Sequence, residues 1–150
     1  MRSAESISSR KPIKRSSMAR FFSLHELTSS DTADRLRISN TPNHDEIRRL
    51  YYLMDNCLDP IREAWGKPIG VNSGYRCRRL NEAVGGATNS QHLKGEAADI
   101  TTGSKEDNKR LFKLIQTLGV DFDQLIDESD YKWLHISCRE QGNRRQILHL

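Results

Sequence analysis

One ten-residue stretch constrains this chain more than any other, because it places a histidine and an aspartate seven positions apart. The stretch reads Ser90-Gln91-His92-Leu93-Lys94-Gly95-Glu96-Ala97-Ala98-Asp99. A second histidine, His135, lies downstream in a predicted strand. Two imidazoles and one carboxylate are suitable ligands for a catalytic zinc ion that keeps its fourth position open. Gly95 allows a sharp turn between His92 and Asp99, so the three side chains can converge on one metal.

These residues resemble a known family. The stretch is similar to the Ser-x-His-x-x-Gly-x-Ala-x-Asp signature of zinc D-alanyl-D-alanine carboxypeptidases, whose relatives include D-Ala-D-Ala dipeptidases and phage L-alanyl-D-glutamate endopeptidases. The Trp133-Leu134-His135 element matches the third ligand of that family. The resemblance covers roughly residues 21–138. It implies one zinc ion per chain, bound by His92, Asp99 and His135.

The reaction of such a family also requires a general base, and several carboxylates precede His135. The candidates are Glu128, Asp127 and Asp130. One branch of the family has a glutamate three positions before the final histidine, where this chain has Lys132. The stretch before the turn resembles instead the branch that places its carboxylate earlier, which favours Glu128 as the base. Asp127 is expected on the opposite face of the strand from Glu128.

Three further residues are candidates for contacts with substrate. Arg76, in Ser73-Gly74-Tyr75-Arg76, aligns with the arginine that the family places near its metal. A guanidinium there would hydrogen-bond a carbonyl oxygen that gains charge, or would hold a substrate carboxylate. Ser90 and Gln91 are candidates for donors to substrate or to a ligand carboxylate, and the alternative is that they only shape the loop.

The pattern of apolar residues predicts an α+β fold, with a small antiparallel sheet packed against helices and the zinc site at the sheet face. Apolar residues recur at helical spacing from about Asp45 to Trp65, and Pro60 is expected to kink or divide that helix. Ser104 has the position of a helix N-cap. Residues 124–127 and 132–138 indicate an antiparallel strand pair, and residues 146–150 an edge strand.

The distribution of charge separates the N-terminus from the rest of the chain. The net charge is +4. Residues 1–17 account for all of it, with five basic side chains and one acidic. We expect residues 1–17 to form a disordered basic tail and residues 18–150 a single zinc peptidase-like domain. The remaining chain is neutral and has no aromatic stacking platform beside the basic tail, so nucleic-acid binding is not expected.

No apolar run reaches the roughly 18 residues of a membrane span, and no secretory signal is recognised. We therefore expect synthesis in the cytoplasm and action on the cell wall after export or release during lysis. The implied function is zinc-dependent hydrolysis of peptidoglycan stem peptides, of D-Ala-D-Ala carboxypeptidase or L-Ala-D-Glu endopeptidase type, in a phage or prophage lysin. The alternative is a non-catalytic metal-containing protein that binds the wall or shapes a phage particle. The oligomeric state stays open.

Overall fold

The structure, a computed structural model, describes residues 20–150. The basic tail predicted for residues 1–17 and the predicted start of the folded part at residue 18 lie outside the described residues. Among residues 20–150, no helix combines the length and the apolar character that crossing a membrane requires.

The first half of the described chain is helical. Its helices are α1 (Leu24–Thr28), α2 (Asp31–Leu36), α3 (His44–Leu53) and α4 (Asp59–Trp65). Helix α3 begins with a capping box, in which Asn43 accepts from the Glu46 backbone N–H while the Glu46 side chain accepts from the Asn43 N–H. These reciprocal bonds satisfy donors that the first turn of a helix leaves unpaired.

The interruption predicted at Pro60 takes the form of a π-helical turn. Residues Met54–Leu58 form this turn between α3 and α4, so the chain stays helical through the proline. The Asp59 N–H donates to the Met54 carbonyl, five residues back. Pro60 then falls in the first turn of α4, where its missing N–H costs least.

The second half of the chain supplies most of a five-stranded sheet. Its strands are β1 (Gly70–Ser73), β2 (Ala97–Thr101), β3 (Gln124–Glu128), β4 (Trp133–Ser137) and β5 (Gln146–His149), in the spatial order β1-β2-β4-β3-β5. All neighbouring pairs are antiparallel except β3 and β5, which are parallel. Helices α5 (Arg78–Ala83) and α6 (Lys105–Thr117) and a 3-10 turn (Gln91–Lys94) connect the strands. Ser104 caps α6 as predicted, accepting from the Asp107 N–H.

The two faces of the sheet differ because successive side chains of a strand point to opposite sides. One face is apolar and packs on α3, α4 and α6. Its completely buried side chains include Ile100, Leu134 and Ile136 from strands and Leu53, Ile61, Leu111 and Ile115 from helices. Each such side chain contributes about 1.5–3 kcal/mol when it leaves water. The α+β fold with a mostly antiparallel sheet on helices is therefore confirmed.

The opposite face carries the polar residues of the sequence motif. In the strand register, Asp99 of β2 lies directly opposite His135 of β4, and His135 lies opposite Ile126 of β3. Directly paired residues share a face of the sheet. The register thus aligns an acid, an imidazole and an apolar residue across three neighbouring strands, away from the hydrophobic core.

Candidate metal centre and substrate groove

The pairing of Asp99 with His135 brings two of the three predicted ligands together. The His135 Nδ1 atom lies 3.1 Å from Asp99 Oδ1, and each residue is only 8% exposed. Both sit on central strands, so their backbones are held by ladder hydrogen bonds on both sides. Burial opposes ionisation of Asp99, but hydrogen bonds to His135 and His92 outweigh it and hold the pKa of the Asp99 carboxyl well below its ordinary value.

The third ligand, His92, reaches the same point from the 3-10 turn. Its Nδ1–H donates to the Gly74 carbonyl at 2.7 Å. Because a carbonyl oxygen only accepts, this bond assigns the proton to Nδ1 and leaves Nε2 for a metal. The Nε2 atom lies 3.3 Å from Asp99 Oδ1. Gly95 ends the turn at φ 79°, where a Cβ would lie 2.8 Å from the Glu46 carbonyl oxygen, so only glycine fits there without strain.

The separation of these donor atoms fits a zinc ion. Tetrahedral zinc with ligands at about 2.0–2.1 Å holds neighbouring donor atoms roughly 3.3 Å apart. The two distances to Asp99 Oδ1 are 3.3 Å from His92 and 3.1 Å from His135. Within residues 20–150, this is the one cluster of three His, Cys, Asp or Glu side chains whose ligand atoms lie this close together. The sequence motif and the fold therefore converge on the same three residues.

Arg76 lies beside the metal centre in a fixed orientation. Its Nη2 atom is 3.6 Å from Asp99 Oδ2. The two histidines lie close to the other carboxylate oxygen, Oδ1. Its Nε–H donates to Ser73 Oγ at 3.1 Å and its Nη1–H donates to Asn81 Oδ1 at 2.9 Å. Burial lowers the pKa of Arg76, and the charges of Asp99 and Glu128 partly offset this. No local pattern in the sequence predicts that Asn81 holds this arginine.

The three carboxylates considered as a base occupy different environments. Glu128 lines the same groove as His135. Burial, and then the negative charge of Asp99, raise the pKa of the Glu128 carboxyl. Asp127 is 5% exposed and bonds to His149 of the edge strand. Asp130 is exposed and forms an ion pair with Lys105 of α6.

The groove has a volume of about 510 Å³ and runs along β3 past the metal centre. Ser90 and Gln91, the candidates for donors to substrate, both line it. Their side chains also shape the loop: Ser90 Oγ accepts from the His92 N–H at 3.1 Å, and Gln91 Nε2 donates to Asp123 Oδ2 at 3.0 Å. Both are therefore groove residues whose orientation is fixed by the fold.

The polar network at the far end of this groove was not predicted from the sequence. Asp123 is completely buried and accepts from Arg144, Arg139 and Gln91. Hydrogen bonds from Arg144 hold the pKa of the Asp123 carboxyl well below its ordinary value, against the effect of burial. An acid before a strand and two arginines in a loop carry no motif, so only the tertiary fold reveals their contact.

A model of the peptidase family described as Peptidase M15 matches residues 20–137 of this chain. The chain belongs to the M15 peptidase family. A stretch of 49 residues is also 51% identical to the zinc D-Ala-D-Ala carboxypeptidase of Streptomyces albus G. That stretch is 32% of this chain and 19% of the relative, so the match spans about a fifth of the relative's length.

Membership of the M15 family, together with the named relative, identifies zinc as the metal that suits this centre. The departure noted in the sequence also has a structural counterpart. Lys132, which occupies the position of a glutamate in one branch, is exposed in the loop that precedes β4. On β3, Glu128 is the carboxylate that lines the groove.

Proposed function

We propose that this chain is a zinc-dependent peptidase that hydrolyses peptide bonds in peptidoglycan stem peptides. The proposal covers the D-Ala-D-Ala carboxypeptidase and the L-Ala-D-Glu endopeptidase types. The observation that carries it is the cluster of His92, Asp99 and His135 beside a groove that also contains Glu128. The named relative supports the substrate class.

The proposed roles follow from the positions of the side chains. When bound, zinc supplies a Lewis acid that polarises a peptide carbonyl and activates water. Glu128 takes the proton from the attacking water and later delivers it to the leaving amine, which requires a carboxylate within hydrogen-bond reach. Arg76 donates hydrogen bonds to the carbonyl oxygen as negative charge develops on it. Ser73 and Asn81 hold the guanidinium in place for this task.

Mass spectrometry of purified muropeptides, incubated with the zinc-loaded protein, tests the proposed activity. Loss of one alanine indicates a carboxypeptidase, and a cut beside glutamate indicates an endopeptidase. Unchanged muropeptides, with zinc bound and the fold intact, would contradict the proposal and support the non-catalytic wall-binding alternative. The same assay on whole cell walls tests whether the protein cuts intact wall, which our further proposal of a phage or prophage lysin, acting after export or release during lysis, requires.

A pair of matched amides tests the choice of base. We expect Glu128→Gln to keep zinc and substrate affinity but to lose about 10²–10⁴-fold in turnover, the usual contribution of general acid–base catalysis. Asp130→Asn should retain nearly full turnover, because Asp130 is exposed and paired with Lys105. An inactive Asp130→Asn beside an active Glu128→Gln would assign the base to Asp130 instead.

A further inference from the structure

The far end of the groove carries two guanidinium groups that the proposed reaction does not use. Arg144 binds Asp123 through both Nε and Nη2, at 3.0 and 2.8 Å, and Arg139 Nη2 lies 3.2 Å from the same carboxylate. Asp123 is completely buried, whereas the side chains of Arg139 and Arg144 are 37% and 53% exposed. The buried acid therefore anchors two partly exposed arginines that line the groove.

Some polar atoms of these arginines and of their neighbour Gln91 have no hydrogen-bond partner. Among the described residues, Arg144 Nη1 has no hydrogen-bond partner, and Arg139 Nε is buried without one. The buried Gln91 Oε1 atom beside them also lacks a partner. The half-exposed side chain of Arg144 therefore brings a guanidinium group with an unpaired donor to the groove.

The charges at this end of the groove favour an anion. Three basic groups, Arg139, Arg144 and Lys94, line this part of the groove. Two carboxylates oppose them: Asp123, which both arginines contact, and Glu96, which is 8% exposed. The balance is one positive charge, presented by guanidinium groups whose planar geometry matches a carboxylate.

The contact of both arginines with Asp123, which directly precedes β3, sets their distance from the site of cleavage. Gln124, Ile126 and Glu128 line the groove from one end of β3 to the other, and Asp123 directly precedes the strand. At about 3.3 Å per residue, Gln124 lies about 7 Å from Ile126, which is opposite the metal ligand His135. An extended peptide covers that distance in about two residues.

We propose that Arg139 and Arg144 form a subsite for a free carboxylate of the peptide substrate, located one or two residues from the bond that is cut. This inference rests on the proposed peptidase function. It adds that the enzyme prefers peptides with a free carboxylate at this position over peptides in which that group is amidated. Peptides that carry the carboxylate are bound in the groove with their charge against the two guanidinium groups. Peptides in which the same group is amidated lose that contact.

The first test changes only the substrate, so it does not depend on how any variant folds. Once the cleaved bond is known, each carboxylate within two residues of it is converted in turn to a carboxamide, and kcat and KM are measured with the zinc-loaded wild-type protein. We expect one of these changes to raise KM about tenfold, with a smaller effect in high salt because mobile ions screen exposed charges. Equal KM values for every acid and amide pair would overturn the proposal.

The second test asks whether Arg139 is responsible for the preference for the acid peptide. In Arg139→Gln, the ratio of the amide peptide's KM to the acid peptide's KM, called here the acid-to-amide ratio, should fall towards one. Arg144 still pairs with Asp123 in this variant. Arg139→Lys should give an intermediate ratio. The control is Arg110→Gln, because Arg110 is an exposed arginine of α6 that pairs with Asp107 and lies outside the groove. A wild-type ratio in a folded, zinc-loaded Arg139→Gln protein would refute the assignment.

Failure of the subsite is distinguishable from failure of the peptidase proposal. Cleavage without any preference between acid and amide keeps the peptidase function and removes the subsite. If no peptide is cleaved, calorimetric titration of the same peptide pairs into the zinc-loaded wild-type protein measures the ratio directly. A tenfold ratio in affinity then supports the subsite in a binding protein, and equal or absent binding removes it.

Discussion

Replacing Gly86 with alanine tests the placement of Arg76 without altering any side chain of the metal centre. A Cβ at residue 86 would lie 2.1 Å from Asn81 Oδ1 and 2.7 Å from Arg76 Nη1. Both distances are far shorter than an ordinary non-bonded contact. Asn81 is 3% exposed and its Nδ2 donates to the Ala87 carbonyl at 2.9 Å, so its side chain has little freedom to turn away. The new methyl group must therefore separate Asn81 from Arg76.

The expected destabilisation by Gly86→Ala can be estimated from the hydrogen bond that is lost and the overpacking that is introduced. A hydrogen bond to a charged group contributes about 1.5–3 kcal/mol, and overpacking a buried position costs about 1–3 kcal/mol. The shift that relieves the steric clash also breaks the hydrogen bond, so the two costs are not fully additive. We expect the free energy of unfolding to fall by about 2–4 kcal/mol. For a folded region of this size that corresponds to a decrease in Tm of about 8–16 °C. A displacement of Arg76 by about 1 Å would lower turnover roughly 10²-fold.

Calorimetry, zinc analysis and muropeptide kinetics on Gly86→Ala and on Gly119→Ala provide the measurement. Gly119 is a matched control because a Cβ there has nothing within 4 Å, so Gly119→Ala should behave as wild type. We expect Gly86→Ala to keep its zinc, since no ligand moves, and to lose turnover. Unchanged Tm and turnover would refute the steric argument. A lower Tm with full turnover would show that the position of Arg76 does not matter for the reaction.

Two other predictions concern the metal and the buried acid. Zinc measured by elemental analysis after dialysis should be close to one per chain in the wild type and much lower in His135→Ala, and full retention by the variant would remove His135 from the ligand set. Asp123→Asn should destabilise the protein by about 1.5–3 kcal/mol near neutral pH, the usual value for hydrogen bonds to a charged group. Because the pKa of Asp123 is lower in the folded than in the unfolded protein, its stabilisation is present above the unfolded pKa of about 3.9 and is lost as pH falls. The difference in Tm between wild type and Asp123→Asn should therefore shrink in acid, and a constant difference from pH 7 to pH 3 would contradict the assigned ion pairs.

Local signals in the sequence predicted those features that depend on neighbouring residues. The Ser104 cap and the antiparallel strand pair before Cys138 are of this kind, and both are confirmed. The π-helical turn before Pro60 was not anticipated, because a sequence marks the missing N–H but not how the preceding turn adapts. The contact of Asp123 with Arg144 joins residues 21 positions apart through the tertiary fold, and no periodicity reports such a pair.

The loop after β3 explains why neighbouring acids face different surroundings. Ser129, Asp130 and Tyr131 all have left-handed backbones, with φ of 50°, 57° and 65°. Non-glycine residues in this region cost on the order of 1 kcal/mol each, so the loop needs support from its surroundings. The buried Asn108 side chain gives that support by donating to the Tyr131 carbonyl at 2.9 Å and to the next carbonyl at 3.2 Å.

This support fixes the direction of the chain on either side of the loop. Asp130 is carried towards α6, where Lys105 neutralises it. Glu128, the last residue of β3, stays in register opposite Trp133 and shares the face of the sheet that bears His135. The same backbone geometry that removes one carboxylate from the groove therefore leaves the other inside it. This geometry supports our proposal that Glu128, rather than Asp130, is the base.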